Sequence, residues 1–352
     1  MAELVPLRDA PRRHWPGGVL VPWLLRQAEA VAYWLVVAPL LARLPSAIAY
    51  RAACWRGDLT LLSWPSKRAE VVSNLRQVLG EDLSEREAQR IVRTHFRLRA
   101  CEVVDVMRLR GNAAPLGRLV EIRGREHLDA ALAAGKGAIL CSAHAGSFIS
   151  GFSLLHASGY PVTTIGRWWW HYPPDTPNAL WRIWDFAFAR RVLRHRQRPN
   201  IEPWPGRVQV ALQAAAALRG NEVVTICSDA PPLDEERARA IEVPFLRREA
   251  TLLPGVVALA RLTGAPVLMA RMQRSADYRH QTLEISPPVP MDGETAEAFG
   301  RCVAAMDAAI TANPAEWNLW FKRHDLADLG LLPGAAARLG VSLPAIARQP
   351  LA

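Results

Sequence analysis

Apolar side chains recur at helical spacing through two stretches, Lys67 to Leu79 and Ser84 to Leu109, with polar residues filling the opposite faces. Ser84 followed by Glu87 is the pairing that starts a helix by satisfying its free N–H groups reciprocally. From Leu119 the period changes. Short β-rich runs (VEIRG, AILCSA, VTTIG, EVVTICS, AIEVPFL, PVLMARM and QTLEIS) alternate with helical stretches near Glu126 to Ala134, Ser147 to Ala157, Gly206 to Arg219, Leu252 to Thr263 and Glu294 to Thr311. Such alternation predicts βαβ units and an α/β fold, with a mixed, mostly parallel central sheet flanked by helices.

Ahead of this domain the chain from Val19 to Tyr50 is mostly apolar, but Arg26, Glu29 and Arg43 interrupt it. The longest uncharged piece, Ala30 to Ala42, is shorter than the roughly 20 residues a spanning helix needs. Two readings stay open. With Trp23, Tyr33 and Trp34 beside basic residues, the segment suits a helix lying in a membrane interface; it also suits a helical hairpin covering the core. The expected organisation is an N-terminal helical segment over 1–65, an α/β domain over 66–330 and a tail over 331–352.

A chain of 352 residues with 50% hydrophobic and 22% charged residues belongs among folded proteins, not disordered ones. Its formal charge of +10 favours anionic partners: phospholipid surfaces, phosphorylated carriers, acidic proteins or nucleic acid. The arginine-rich, lysine-poor composition also fits a GC-rich genome. The five cysteines (Cys54, Cys101, Cys141, Cys227 and Cys302) are scattered and lack C-x-x-C spacing, so neither a disulfide framework nor a zinc site is implied. Cys141, three residues before His144, is a conceivable nucleophile, though a free cysteine more commonly packs as a small hydrophobe. The charged, proline-bearing start does not read as a secretory signal, and the expected compartment is the cytoplasm.

The stretch from Lys136 to Leu155 carries the sharpest chemical signal. A short apolar run ends at His144, two small residues follow, and then an amphipathic segment. An imidazole at the carboxyl end of a buried strand faces the crevice where open α/β sheets bind substrates, a place suited to a general base. Further on, Trp168, Trp169, Trp170, Trp181 and Trp184 lie in an irregular segment that runs to Trp204 and also holds the basic run at 189–198. Indole faces suit acyl chains or a lipid interface, and the adjoining charge suits an acidic carrier protein, phosphates or RNA.

Several blocks in order resemble the lysophospholipid acyltransferase superfamily, and within it the branch of late acyltransferases of lipid A synthesis. They are KRAEVVSNLRQVLG at 67–80, AHAGSF around His144, Gly-Arg at 166–167, SDAPP at 228–232, the Pro-Phe block beginning IEVPFLRREA, and NPAEWNLWFKRH at 313–324. The resemblance spans roughly residues 65 to 325. It implies a glycerol-3-phosphate acyltransferase-like fold and transfer of an acyl group from a thioester of acyl carrier protein or coenzyme A to a hydroxyl or amine. No metal or redox cofactor is implied, and the expected site of action is the cytoplasmic face of the cell membrane.

Carried onto this chain, His144 matches the base and Arg167 the cation that steadies negative charge, a role suited to the fixed guanidinium fork. Gly146 and Ser147 leave room for substrate, with Ser147 also placed to cap the next helix; Trp168 would border the acyl chain. Phe245, Arg247 and Arg248 match the acceptor-binding block, although Arg247 stands where the family usually has glycine. The main departure is Ile149. It occupies the acidic position of the H-x4-D/E motif, whose carboxylate orients the histidine. Another carboxylate replaces it, or the reaction needs less activation, or catalysis has been lost. Asp229 is the first candidate, with Glu102 and Asp105 behind it. Outside the enzyme reading stands a non-catalytic binder of lipid or acyl carrier; a third reading has an RNA-linked acyl donor recognised by the basic cluster.

Overall fold

The computed structural model describes residues 32–80, 82–108, 118–166, 207–232 and 234–332. Arg167, Trp168, the rest of the tryptophan-rich stretch and the basic run at 189–198 lie outside the described residues, as do 1–31 and 333–352.

The helical elements begin with a π-helical turn, Tyr33–Val37, running into α1 (Ala38–Arg43), then α2 (Ser46–Ser63), α3 (Pro65–Leu79) and α4 (Glu85–Arg108). Ser84 caps α4 as its sequence predicts, its Oγ accepting the N–H of Glu87 at 3.2 Å. The alternating part follows as β1 (Val120–Arg123), α5 (Arg125–Ala133), β2 (Ala138–Ser142), α6 (Phe148–Ala157), β3 (Val162–Ile165), α7 (Arg207–Arg219) and β4 (Val223–Cys227). The chain continues through β5 (Ile241–Phe245), β6 (Arg248–Leu252), α8 (Gly255–Thr263), β7 (Val267–Arg274), β8 (Gln281–Val289), α9 (Thr295–Ala312) and α10 (Arg323–Asp328).

Six strands form one sheet in the order β1-β8-β7-β2-β4-β3, parallel at every pairing except β7 with β8. Every residue of β2 is buried, as expected of a strand between two parallel neighbours with both faces covered. Successive side chains point to opposite faces, and two cores result. Ile139 and Cys141 join Val224, Val257, Phe299 and Trp317 on one side. Ala138 and Leu140 join Leu128, Phe152 and Leu155 on the other. The outcome is a three-layer α/β arrangement, as the periodicity predicts.

One strand was not foreseen. The sequence reading runs REATLL towards a helix beginning at Leu252, whereas β5 and β6 form an antiparallel hairpin and α8 begins at Gly255. The hairpin turns through Leu246 and Arg247, both at positive φ (51° and 63°). That geometry normally calls for Asn-Gly or a similar pair, so the turn carries no signal in its residue types.

The N-terminal helices pack one face on α4. Ala49, Tyr50, Ala53 and Cys54 meet Ala100, Cys101 and Val104. Gly57 permits the closest approach, since a Cβ there would lie 2.7 Å from the Cα of Arg97. No helix among the described residues is long and apolar enough to cross a membrane.

Candidate active site at the ends of β2 and β4

Parallel pairing of β2 with β4 sets Ser142 beside Cys227, and Ser228 N–H still donates to Ser142 O at 3.0 Å. Two residues beyond the paired ends stand His144 and Asp229. This shared offset brings together groups 85 residues apart in the chain. Asp229 Oδ1 lies 2.6 Å from His144 Nδ1, and Oδ2 accepts the backbone N–H of His144 at 2.8 Å. A third donor, Trp317 Nε1, reaches Oδ2 at 2.7 Å.

Asp229 is completely buried, while the His144 side chain keeps 27% of its surface exposed. Burial pushes the Asp229 carboxyl up. The charge of His144 and the hydrogen bonds from His144 and Trp317 outweigh that push, leaving it below the usual aspartate range. An ionised Asp229 can only accept, so Nδ1 must carry a proton. In the neutral ring the lone pair is thereby left on Nε2; the rings of His144 and Phe148 meet edge to face at 5.3 Å between centroids.

The loop that carries His144 is sewn to the C-terminal segment. Asn318 N–H donates to His144 O at 2.8 Å, Gly146 N–H donates to Glu316 O at 2.9 Å, and Ala145 pairs with Trp317. Gly146 sits at φ +62°, and a Cβ there would lie 2.6 Å from Glu316 Oε2 and 2.7 Å from Met272 O. Glycine is required on both counts. The C-terminal segment is anchored in turn by His95 on α4, whose Nδ1 donates to Ala315 O at 2.8 Å. Burial, with Arg99 nearby, depresses the His95 pKa to about 3, so it acts as a neutral strut. Asn74 on α3 donates to Trp320 O at 3.0 Å and accepts from Arg323 at 3.0 Å, which gives the buried Asn-Leu pair of that helix a structural part.

Several candidate residues stand elsewhere. Ser147 does not cap α6; its Oγ donates to Asp105 Oδ2 at 2.9 Å. Asp105 is held besides by Tyr50 and Arg274 inside the core, and Glu102 pairs with Arg99 at 2.7 Å. Ile149 packs on the patch formed by Tyr33, Ala38, Val106 and Met107. Phe245 is fully buried, with its ring edge-on to Trp317 at 5.9 Å, so it supports the tryptophan that holds Asp229. Arg247 and Arg248 donate to Leu79 O and Gln77 O, closing the carboxyl end of α3. Cys141 is buried, and its neighbour Cys302 together with burial pushes its thiol well up, the reverse of an activated nucleophile.

Trp317, Glu316 and His95 are the residues that sequence reasoning missed as parts of the site. Trp317 belonged to a recognised block, but nothing local says where its indole N–H points.

Trp317→Phe keeps the ring packing and deletes one donor to an ionised, buried acceptor. A loss of about 1.5–3 kcal/mol in urea unfolding at neutral pH is expected. The sign follows from the lowered Asp229 pKa: stabilisation from the ionised carboxylate is present above the ordinary aspartate range and lost as the pH falls below it. The gap between parent and variant should therefore narrow on acidification.

The model of the family described as bacterial lipid A biosynthesis acyltransferase matches residues 22–324. Over 215 residues the chain is 29% identical to a phosphatidylinositol mannoside acyltransferase of Mycobacterium tuberculosis, covering 59% of this chain and 60% of that one. Over 199 residues it is 22% identical to a lipid A biosynthesis acyltransferase of Haemophilus influenzae, covering 56% of each. The chain thus spans less than two thirds of the length of these relatives. The family match takes in both strand ends and the tryptophan segment that holds them, and the chain belongs to the bacterial lipid A biosynthesis acyltransferase family.

Proposed function

We propose that this protein transfers an acyl group from a thioester of acyl carrier protein or coenzyme A to a hydroxyl or amine acceptor, with His144 as general base. The observation that carries this reading is the Asp229–His144 pair: a buried carboxylate holds Nδ1, so the neutral form of this partly exposed ring keeps its lone pair on Nε2. Nε2 takes the acceptor's proton as its oxygen or nitrogen attacks the thioester carbonyl. The C–S bond then breaks, and the departing thiolate receives that proton from the imidazolium. No bond to the enzyme forms. Asp229 here takes the place of the carboxylate that the H-x4-D/E motif would put at position 149. Arg167 is assigned to the developing oxyanion on the strength of its Gly-Arg block.

One relative is named as a phosphatidylinositol mannoside acyltransferase and the other as a lipid A biosynthesis acyltransferase, which supports an acceptor carried on a lipid. The proposed working place is the cytoplasmic face of the cell membrane, with the protein bound peripherally. The test uses the purified full chain with acyl carrier protein and coenzyme A thioesters against hydroxyl and amine acceptors. Thiol release matched by acylated acceptor in the mass spectrum is the expected result. Binding of thioester or lipid without turnover on any acceptor would make it a binding protein instead.

Ile149→Asp provides a separate check. The isoleucine packs on the patch of Tyr33, Ala38, Val106 and Met107, so a carboxylate there should cost about 1–3 kcal/mol in unfolding experiments. It should restore no thiol release to an Asp229→Asn background. Recovery of the rate would show that a side chain at 149 reaches the His144 ring, against the place given to Ile149 on the apolar patch.

A further inference from the structure

The helix α2 is apolar on both faces. A helix of that kind is ordinarily enclosed by protein or faces lipid. Its inner face, with Ala49, Tyr50, Ala53 and Cys54, packs on α4, while Ile48, Trp55, Leu59 and Leu62 form an outward stripe at successive turns, between 55% and 69% exposed. Among the described residues, nine of the eleven exposed large apolar side chains fall between Val36 and Trp64; Leu212 and Leu262 are the other two. Such concentration is far from the scattered single exposures of an ordinary surface.

The charge around the stripe is mostly positive. Residues 32–70 carry Arg43, Arg51, Arg56, Lys67 and Arg68 against two acids: Asp58, held by Arg93 and Arg97 at 2.7–2.9 Å, and Glu70, paired with Lys67 at 2.8 Å. Arg51 lies within the stripe, its guanidinium 5.7 Å from the centroid of the Trp55 ring. Beside it opens a recess of about 370 Å³, where Arg51, Arg97 and Arg279 approach Trp55 and Tyr278. The one acid lining it, Asp277, is bound by Ser275 and Arg279, and Arg97 is held by Asp58, so Arg51 is the guanidinium the recess offers to a ligand. A guanidinium fork beside an indole suits a phosphodiester headgroup whose acyl chains continue along an apolar stripe.

We propose that this face, Ile48, Trp55, Leu59 and Leu62 with Arg51 among them, docks on an anionic phospholipid bilayer, and that the recess receives a lipid phosphate. Basic side chains near such a surface and apolar ones sunk into it add their effects. The proposal deepens the peripheral location given above by naming the surface responsible, and it is independent of the chemistry at His144.

The test is co-sedimentation of the full chain with phosphatidylcholine vesicles and with mixed phosphatidylcholine–phosphatidylglycerol vesicles. The parent should favour the anionic vesicles and come off as salt rises. Trp55→Glu/Leu59→Glu/Leu62→Glu should weaken binding at least ~10-fold, and Arg51→Glu should weaken the preference for anionic lipid. Leu212→Glu/Leu262→Glu, at exposed positions outside the patch, should bind as the parent does. His144→Ala should also bind normally, which separates failure here from failure of the catalytic reading. Since Arg51, Trp55, Leu59, Leu62, Leu212 and Leu262 are exposed, thermal unfolding of the variants at those positions should stay close to that of the parent. Parental binding by the triple variant, no binding by the parent, or a parent dimer that the triple variant abolishes would overturn the proposal; the last would make a second copy the occupant.

Discussion

Replacing His144 by alanine is expected to lower the turnover number for thioester transfer by ~10²–10⁴, the usual worth of a positioned general base. The loss should fall on turnover. Proton transfer occurs only in the transition state, so the concentration of thioester needed for half-saturation should change little. The variant also strands Asp229 Oδ1, whose partner at 2.6 Å is gone, at a cost of about 1–3 kcal/mol in stability. Assays well below the variant's melting temperature keep the two effects apart. Added imidazole, able to diffuse to a partly exposed position, should restore some of the rate; it would do nothing for a histidine that merely supports the fold.

Asp229→Asn is expected to cost nearly as much. The amide matches the carboxylate in size and can still accept from the His144 or Trp317 N–H groups, so the fold should survive. It removes the negative charge opposite an imidazolium and allows the ring to place its proton on Nε2, where a base must have none. In a serine-protease triad the equivalent change lowers turnover about 10⁴-fold, and a loss of ~10³–10⁴ is expected here. Its unfolding free energy should also respond less to pH in the acidic range than the parent's, because the depressed Asp229 carboxyl has gone. Urea unfolding across that range, read beside turnover, checks both halves.

The difference between His144 and Asp229 shows what the chain discloses unaided. His144 ends an apolar run and precedes small residues, so local pattern alone marks it as a strand-exit histidine. Its partnership with Asp229 depends on β2 and β4 pairing so that Ser142 meets Cys227, and register is a property of two distant segments. Resemblance brought Asp229 forward as a candidate; only the shared two-residue offset explains why it reaches the ring. Long side chains were harder to place. Arg247 and Arg248 looked like ligands because their block did, yet the tight turn at Leu246 and Arg247 directs both to the carbonyl end of α3. Ser147 was legible as a helix-start residue, and the helix does start there, but the buried carboxylate of Asp105 takes its hydroxyl. The stretch from Val19 to Tyr50 read as either interfacial or core-covering; in its described part and the rest of α2, one face packs inward on α4 and the other lies open.

The decisive experiment is a double-mutant cycle on turnover with His144→Ala, Asp229→Asn and the two combined, using one thioester and one acceptor throughout. If Asp229 acts through the ring of His144, the combined variant should be no slower than His144→Ala alone, as expected of residues that work as a unit. Losses that multiply, or a His144→Ala enzyme as fast as the parent, would contradict the dyad.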